Sequence, residues 1–148
     1  MKRYIRCICL LLSLLLLTSM TVSAADNSSE AAPYSSSFFQ RYSTYLPRYS
    51  STMFHVYFDV TACGYMTELG VSSIEVQRSA DGISGWTTTK TYTPDIYSQM
   101  MANNVFSHGG TVLYAGTAGY YYRAYVTFYA KNSSGSAKYY AYTDVLKL

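Results

Sequence analysis

The chain has 148 residues, with 11 Lys and Arg against 8 Asp and Glu, and tyrosine is its compositional outlier at 18 residues. Lys2, Arg3 and Arg6 precede an apolar run from Ile8 to Leu17, and Val22-Ser23-Ala24 supplies small residues where a signal peptidase reads, so residues 1–24 are expected to be an export signal. Once that segment leaves, the remaining acids and bases balance. No basic field is left to attract nucleic acid, and the apolar run is too short to hold the chain stably in a membrane.

The expected compartment is therefore extracellular. Of the three cysteines, Cys7 and Cys9 go with the signal and Cys63 remains. One thiol makes no internal disulfide, so the secreted domain depends on its hydrophobic core. Cys63 reads as a buried thiol, with pairing to another chain as the alternative. Residues 25–41 are a linker by composition, rich in Ser and Ala. Residues 42–148 are long enough for one domain.

In chain order, Tyr42 to Tyr49 is aromatic, but Pro47 restricts it to an edge strand or a docked extended segment. Met53 to Ala62 alternates cleanly, with Phe54, Val56, Phe58 and Val60 on one side and His55, Tyr57, Asp59 and Thr61 on the other. Cys63 to Gly70 reads as a connection, with one helical turn closed by Gly70. Val71 to Ser79 is a strand with Ile74 and Val76 inward, and Asp81-Gly82 turns the chain. Trp86 to Thr93 is a Thr-rich strand, and Ile96 to Asn104 is a loop over the edge. Thr111 to Ala115 is a further strand. The longest strand-like run is Tyr120 to Ala130, followed by a turn at Asn132 to Gly135 and a final strand from Lys138 to Leu148. Short strands with turn signals about every ten residues make an all-β antiparallel sandwich of about seven strands.

Alternation splits the Tyr120 run into two faces. Tyr120, Tyr122, Ala124, Val126, Phe128 and Ala130 read as core, and Tyr121, Arg123, Tyr125, Thr127 and Tyr129 read as outward.

Ile74-Glu75-Val76-Gln77-Arg78-Ser79-Ala80-Asp81-Gly82 with Trp86 resembles the third strand and turn of a fibronectin type III or immunoglobulin-like module. Gly116-Thr117-Ala118-Gly119-Tyr120-Tyr121-Tyr122-Arg123 is similar to that fold's approach to its sixth strand, and Asn132 to Gly135 resembles the hairpin after it. With Met66-Thr67-Glu68-Leu69-Gly70 added, the pattern also resembles a group of small secreted proteins of Gram-positive, gut-type bacteria. The resemblance implies that Tyr120 is a corner tyrosine, its hydroxyl bonded to backbone a few residues upstream. It implies no activity.

Catalytic constellations are not visible. His55 lies on the outward face of its strand and reads as a solvated surface residue, and His108 reads as a turn residue beside Gly109-Gly110. No Gly-x-Ser-x-Gly elbow accompanies them. Metal-ligand spacings and phosphate-binding glycine loops are missing too, so the expectation is no enzyme, no metal and no cofactor. A small secreted hydrolase using two cross-strand carboxylates is the weakest alternative.

The tyrosines are the feature that points to function. Tyr121, Tyr125 and Tyr129 share an outward face, and Tyr140 and Tyr142 share a face of the last strand, with Tyr139 opposite. In a hairpin these rings form a ladder suited to an extracellular glycan, a cell-wall polymer or a protein, because each packs an apolar face and hydrogen-bonds at its tip. The bland reading is cross-strand pairing that only stabilises the sheet. Trp86 is expected to be a packing residue. Since the mature chain is neutral, the ligand is expected to bind with weak salt dependence. The alternative function is a self-associating extracellular structural protein, built through the aromatic, charge-poor strand Lys138 to Leu148.

Overall fold

A computed structural model describes residues 37–148. The expected export signal and residues 25–36 of the linker lie outside the described residues. Nine strands follow: β1 (Phe39–Tyr45), β2 (Met53–Met66), β3 (Glu68–Ser79), β4 (Thr87–Tyr92), β5 (Met101–Ala102), β6 (Val105–Ala115), β7 (Tyr121–Asn132), β8 (Gly135–Tyr142) and β9 (Leu146–Lys147). A short 3₁₀ turn, Ser98–Met100, precedes β5. The strands form two antiparallel sheets. The smaller runs β1-β2-β6; the larger runs β4-β3-β7-β8, with β5 pairing β3 and β9 pairing β7.

Alternation explains the sandwich. Phe54, Val56, Phe58 and Val60 of β2 are fully buried, as are Ile74 and Val76 of β3 and Ala124, Val126 and Phe128 of β7. These inward rows leave water against one another, and each large apolar side chain so buried contributes roughly 1.5–3 kcal/mol. Aromatic residues close the sides. Tyr42 of β1 packs on Tyr139 of β8 at 4.3 Å and on Phe128 at 5.1 Å. On the opposite side Tyr92 Oη donates to Leu113 O at 2.8 Å, and Tyr114 Oη donates to Thr89 Oγ1 at 2.8 Å, joining β4 to β6.

Several expectations change on the structure. The domain's first strand starts at Phe39, ahead of the boundary at Tyr42, because Phe39 is a core residue. Cys63 to Gly70 contains no helical turn: β2 runs to Met66, Thr67 changes sheet, and β3 starts at Glu68. The Thr67 amide and hydroxyl both donate to Lys131 O, at 2.7 and 3.0 Å, so the crossing is anchored to β7. Cys63 is exposed rather than buried, because alternation along β2 puts it on the outward side, next to inward Ala62. The segment Ile96 to Asn104 does more than pass over the edge. It buries Met100 completely and crosses Gly70, where an added Cβ would sit 2.2 Å from Met100 O. Finally, the terminal strand is split. Thr143 Oγ1 accepts the Ala124 amide at 2.9 Å, in place of a backbone carbonyl, and pairing resumes only at β9.

The corner hydroxyl belongs to Tyr122, not Tyr120. Tyr122 is 1% exposed, and its Oη accepts the Thr117 amide at 2.7 Å. Its ring packs on Phe54 at 5.4 Å and Tyr114 at 5.6 Å. Gly116 makes room, since a Cβ there would come within 2.9 Å of the Tyr122 ring. Tyr120 lies just outside β7, half-buried under the Arg78 guanidinium at 4.5 Å.

Candidate functional site

The outer face of the larger sheet is where the sequence placed its tyrosines. Register on β7 and β8 sets Tyr142 directly across from Tyr125, and Tyr140 across from Thr127. Tyr125 and Tyr140 are parallel within 5°, with centroids 5.8 Å apart, and Tyr125 and Tyr142 are 4.7 Å apart. Tyr140 and Tyr142 are each 52% exposed, whereas Tyr125 is half-buried between them. The Tyr125 phenol is held above its ordinary pKa, first by partial desolvation and then by Tyr142, Tyr140 and Glu75 around it.

The series continues past the tyrosines. Arg123 lies between Tyr142 and Trp86, its guanidinium carbon 4.3 Å from each ring centroid. Its Nε donates to Gln77 Oε1 at 2.8 Å, on the β3 residue directly across from it. Contacts between 4.3 and 5.8 Å therefore link Trp86, Arg123, Tyr142, Tyr125 and Tyr140 into one rail across the sheet.

The loop between β3 and β4 brings Trp86 to that position. Asp81 Oδ1 accepts the amides of Ile83 and Ser84, both at 2.9 Å, and Oδ2 accepts the Ser84 hydroxyl at 2.8 Å. These bonds, led by the Ser84 and Ile83 amides, hold the Asp81 carboxyl well below the usual carboxylate range. Ser79, almost fully buried, accepts the amides of Asp81 and Gly82. Gly82 has φ 76° and faces the Tyr121 ring, which a Cβ would approach to 2.7 Å, so a side chain fits neither the backbone nor the space. Trp86 Nε1 donates to Ile83 O at 3.3 Å, and Ile83 stands at the tip, 85% exposed.

Of the five tyrosines expected to share the face, three come together: Tyr125, Tyr140 and Tyr142. Tyr121 lies against the β3–β4 loop under the Lys147 ammonium at 5.1 Å. Tyr129 lies across from Gly70 and Lys138, outside the rail. Trp86, expected to pack, lies against Arg123, its ring centroid 4.3 Å from the guanidinium carbon. The expected solvated His55 is half-buried, with its ring edge-on to Tyr49 at 5.4 Å and its Nδ1 buried without a hydrogen-bond partner. His108 Nε2 lies 2.9 Å from Gln99 O, tying β6 to the 3₁₀ turn.

Sequence reading missed Arg123 as the middle of the stack. The available signal was the pairing of two recognised strands. Once Ile74 and Ala124 both face inward, Gln77 and Arg123 share the outer face, and Trp86 follows the intervening turn. No family model, curated protein or solved structure matches the chain.

Proposed function

We propose that this chain is a secreted, non-catalytic binding module with a fibronectin type III-like domain, and that the aromatic rail on its larger sheet is its recognition surface. Strand arrangement supports the fold assignment: the first, second and fifth long strands form one sheet, and β4 stays beside β3 in the other. The corner tyrosine at the start of β7 is a further point of likeness.

The observation that carries the functional reading is the open side of the rail. Tyr140 and Tyr142 leave about half their surface in water, and neither hydroxyl is used by the protein among the described residues. Rings with unused hydroxyls, fixed by neighbours, lose little entropy on binding. An extended partner, whether glycan, cell-wall polymer or protein segment, would lie along the rail. NMR titration of the labelled chain with cell-wall and surface-glycan fractions tests this. Shifts should concentrate at Arg123, Tyr125, Tyr140, Tyr142 and the Trp86 indole; shifts confined to the smaller sheet would refute the reading.

One observation favours a second reading, self-association. β8 ends the larger sheet, with no strand beyond it among the described residues. A second copy pairing there would be seen as concentration-dependent sedimentation.

A further inference from the structure

We infer that Arg123 is a carboxylate-binding subsite, and that the partner on the rail is an acidic polysaccharide built of uronic-acid-type sugars. This rests on the reading of the rail as the recognition surface and adds the chemistry of what it recognises. The guanidinium carbon lies 4.3 Å from the ring centroids of both Trp86 and Tyr142. A guanidinium carries five N–H donors in one plane, and only the Nε donor is used, by Gln77. The Nη groups have no protein acceptor among the described residues. They are not sealed from water either, since His55 Nδ1 is the only buried side-chain nitrogen or oxygen without a partner there.

Nearby acids are occupied elsewhere. Glu75 Oε2 accepts from the Thr88 hydroxyl, and Asp81 is bound within its own loop. The ion pairs among the described residues are Arg41 with Asp59 and Lys131 with Glu68. Arg123 is thus a cation held by Gln77 and two rings, with its Nη groups open to solvent. A carboxylate fits the Nη edge with two parallel hydrogen bonds. Lys147 over Tyr121 and Lys138 opposite Tyr129 place positive charge on the same face, against the Glu75 carboxylate across from Tyr125. A charge-assisted pair at Arg123 is screened by salt even though acids and bases balance over residues 25–148.

The rings select a sugar over an acidic peptide. Tyr125 and Tyr140 are stacked on each other, and with Tyr142 they present apolar ring surface and hydroxyl tips in series, to which the C–H groups and hydroxyls of successive sugar rings are complementary. A peptide would gain most from backbone pairing along the outer edge of β8, one strand away from Arg123 on β7.

The test is calorimetric titration of the purified chain with an oligomeric polyuronate, its methyl ester and poly-glutamate. The acid form should bind about tenfold or more tighter than the ester, because esterification removes the charge-assisted pair. Raising NaCl from about 50 to about 300 mM should weaken the acid form several-fold and leave the ester unchanged. Arg123→Gln and Arg123→Lys should both lose the preference for acid over ester, Lys because it lacks the planar fork. If either variant fails to fold, the acid–ester comparison on the unaltered chain still decides. Equal binding of acid and ester, wild-type preference in Arg123→Lys, poly-glutamate binding as tightly as polyuronate, or no binding to any probe would each overturn the proposal. Ester binding that equals acid binding but is lost in Tyr140→Ser would refute the carboxylate subsite while leaving the rail as the recognition surface.

Discussion

Tyr122 and Tyr142 are the same residue type on neighbouring strands of one sheet, and they are used in opposite ways. Tyr122 faces inward, and its hydroxyl is tied to the Thr117 amide at 2.7 Å. Tyr142 faces outward, stacked on Arg123 and Tyr125, and its hydroxyl is left to solvent. The difference lies in where the ring ends. An inward tyrosine must find a partner for its hydroxyl, because a buried unpaired polar group costs about 1–3 kcal/mol. An outward one has water as partner, which leaves its tip for a ligand. Tyr92 and Tyr114 side with Tyr122, each spending its hydroxyl on joining the two sheets. Tyr140 sides with Tyr142. The tyrosine excess of the sequence is therefore two populations, one holding the sandwich shut and one lining its surface.

Replacing whole rings should separate the two most strongly. Tyr122→Ala removes a ring buried against Phe54 and Tyr114, and should cost about 3–5 kcal/mol in denaturant melts. Tyr142→Ala loses exposed stacking only and should cost about 1 kcal/mol or less. Removing hydroxyls sharpens the comparison: Tyr122→Phe should cost about 1–3 kcal/mol, and Tyr120→Phe under about 0.5 kcal/mol. Equal effects at positions 120 and 122 would contradict the corner assignment.

That pair also marks how far the sequence could be read. Alternation correctly gave the inward faces of the Met53 and Tyr120 runs, and with them an all-β sandwich. It put Tyr120 and Tyr122 on one face, and period two does not say which reaches the backbone. The answer depends on Gly116, whose missing side chain admits the Tyr122 ring. Met100 was illegible for a related reason. Its segment has no periodicity, and its burial follows from crossing Gly70 of another strand. The grouping of Tyr125, Tyr140 and Tyr142 was legible because a hairpin is local. The approach of Trp86 to Arg123 was not, because it needs both the β3–β7 register and the hydrogen-bonded loop around Asp81.

Alkaline titration distinguishes the inner tyrosines without deleting a ring. Burial, with Tyr97 and Tyr114 nearby, pushes the Tyr92 phenol up to about 12. A raised folded pKa means the neutral form is favoured by folding. Its contribution is present below the unfolded value of about 10 and is lost as pH rises toward about 12. Tyr92→Phe should therefore flatten the melting-temperature profile over that window, and an unchanged profile would contradict the cause given.

The smallest effect is expected at the acid end. The Asp81 carboxyl is depressed in the folded chain, so its contribution is present above the unfolded value of about 4 and is lost as pH falls below it. Asp81→Asn should flatten the acid limb slightly, and it should broaden the Trp86 fluorescence as the loop loosens.

The central claim is that the outward tyrosines serve recognition and the inward ones stability. It is tested most directly by measuring melting and ligand binding on one variant, Tyr140→Ser with Tyr142→Ser. The account predicts a melting curve close to that of the unaltered chain, with binding to the surface-polymer fraction lost. A variant that unfolds, or one that melts normally and still binds, would contradict it.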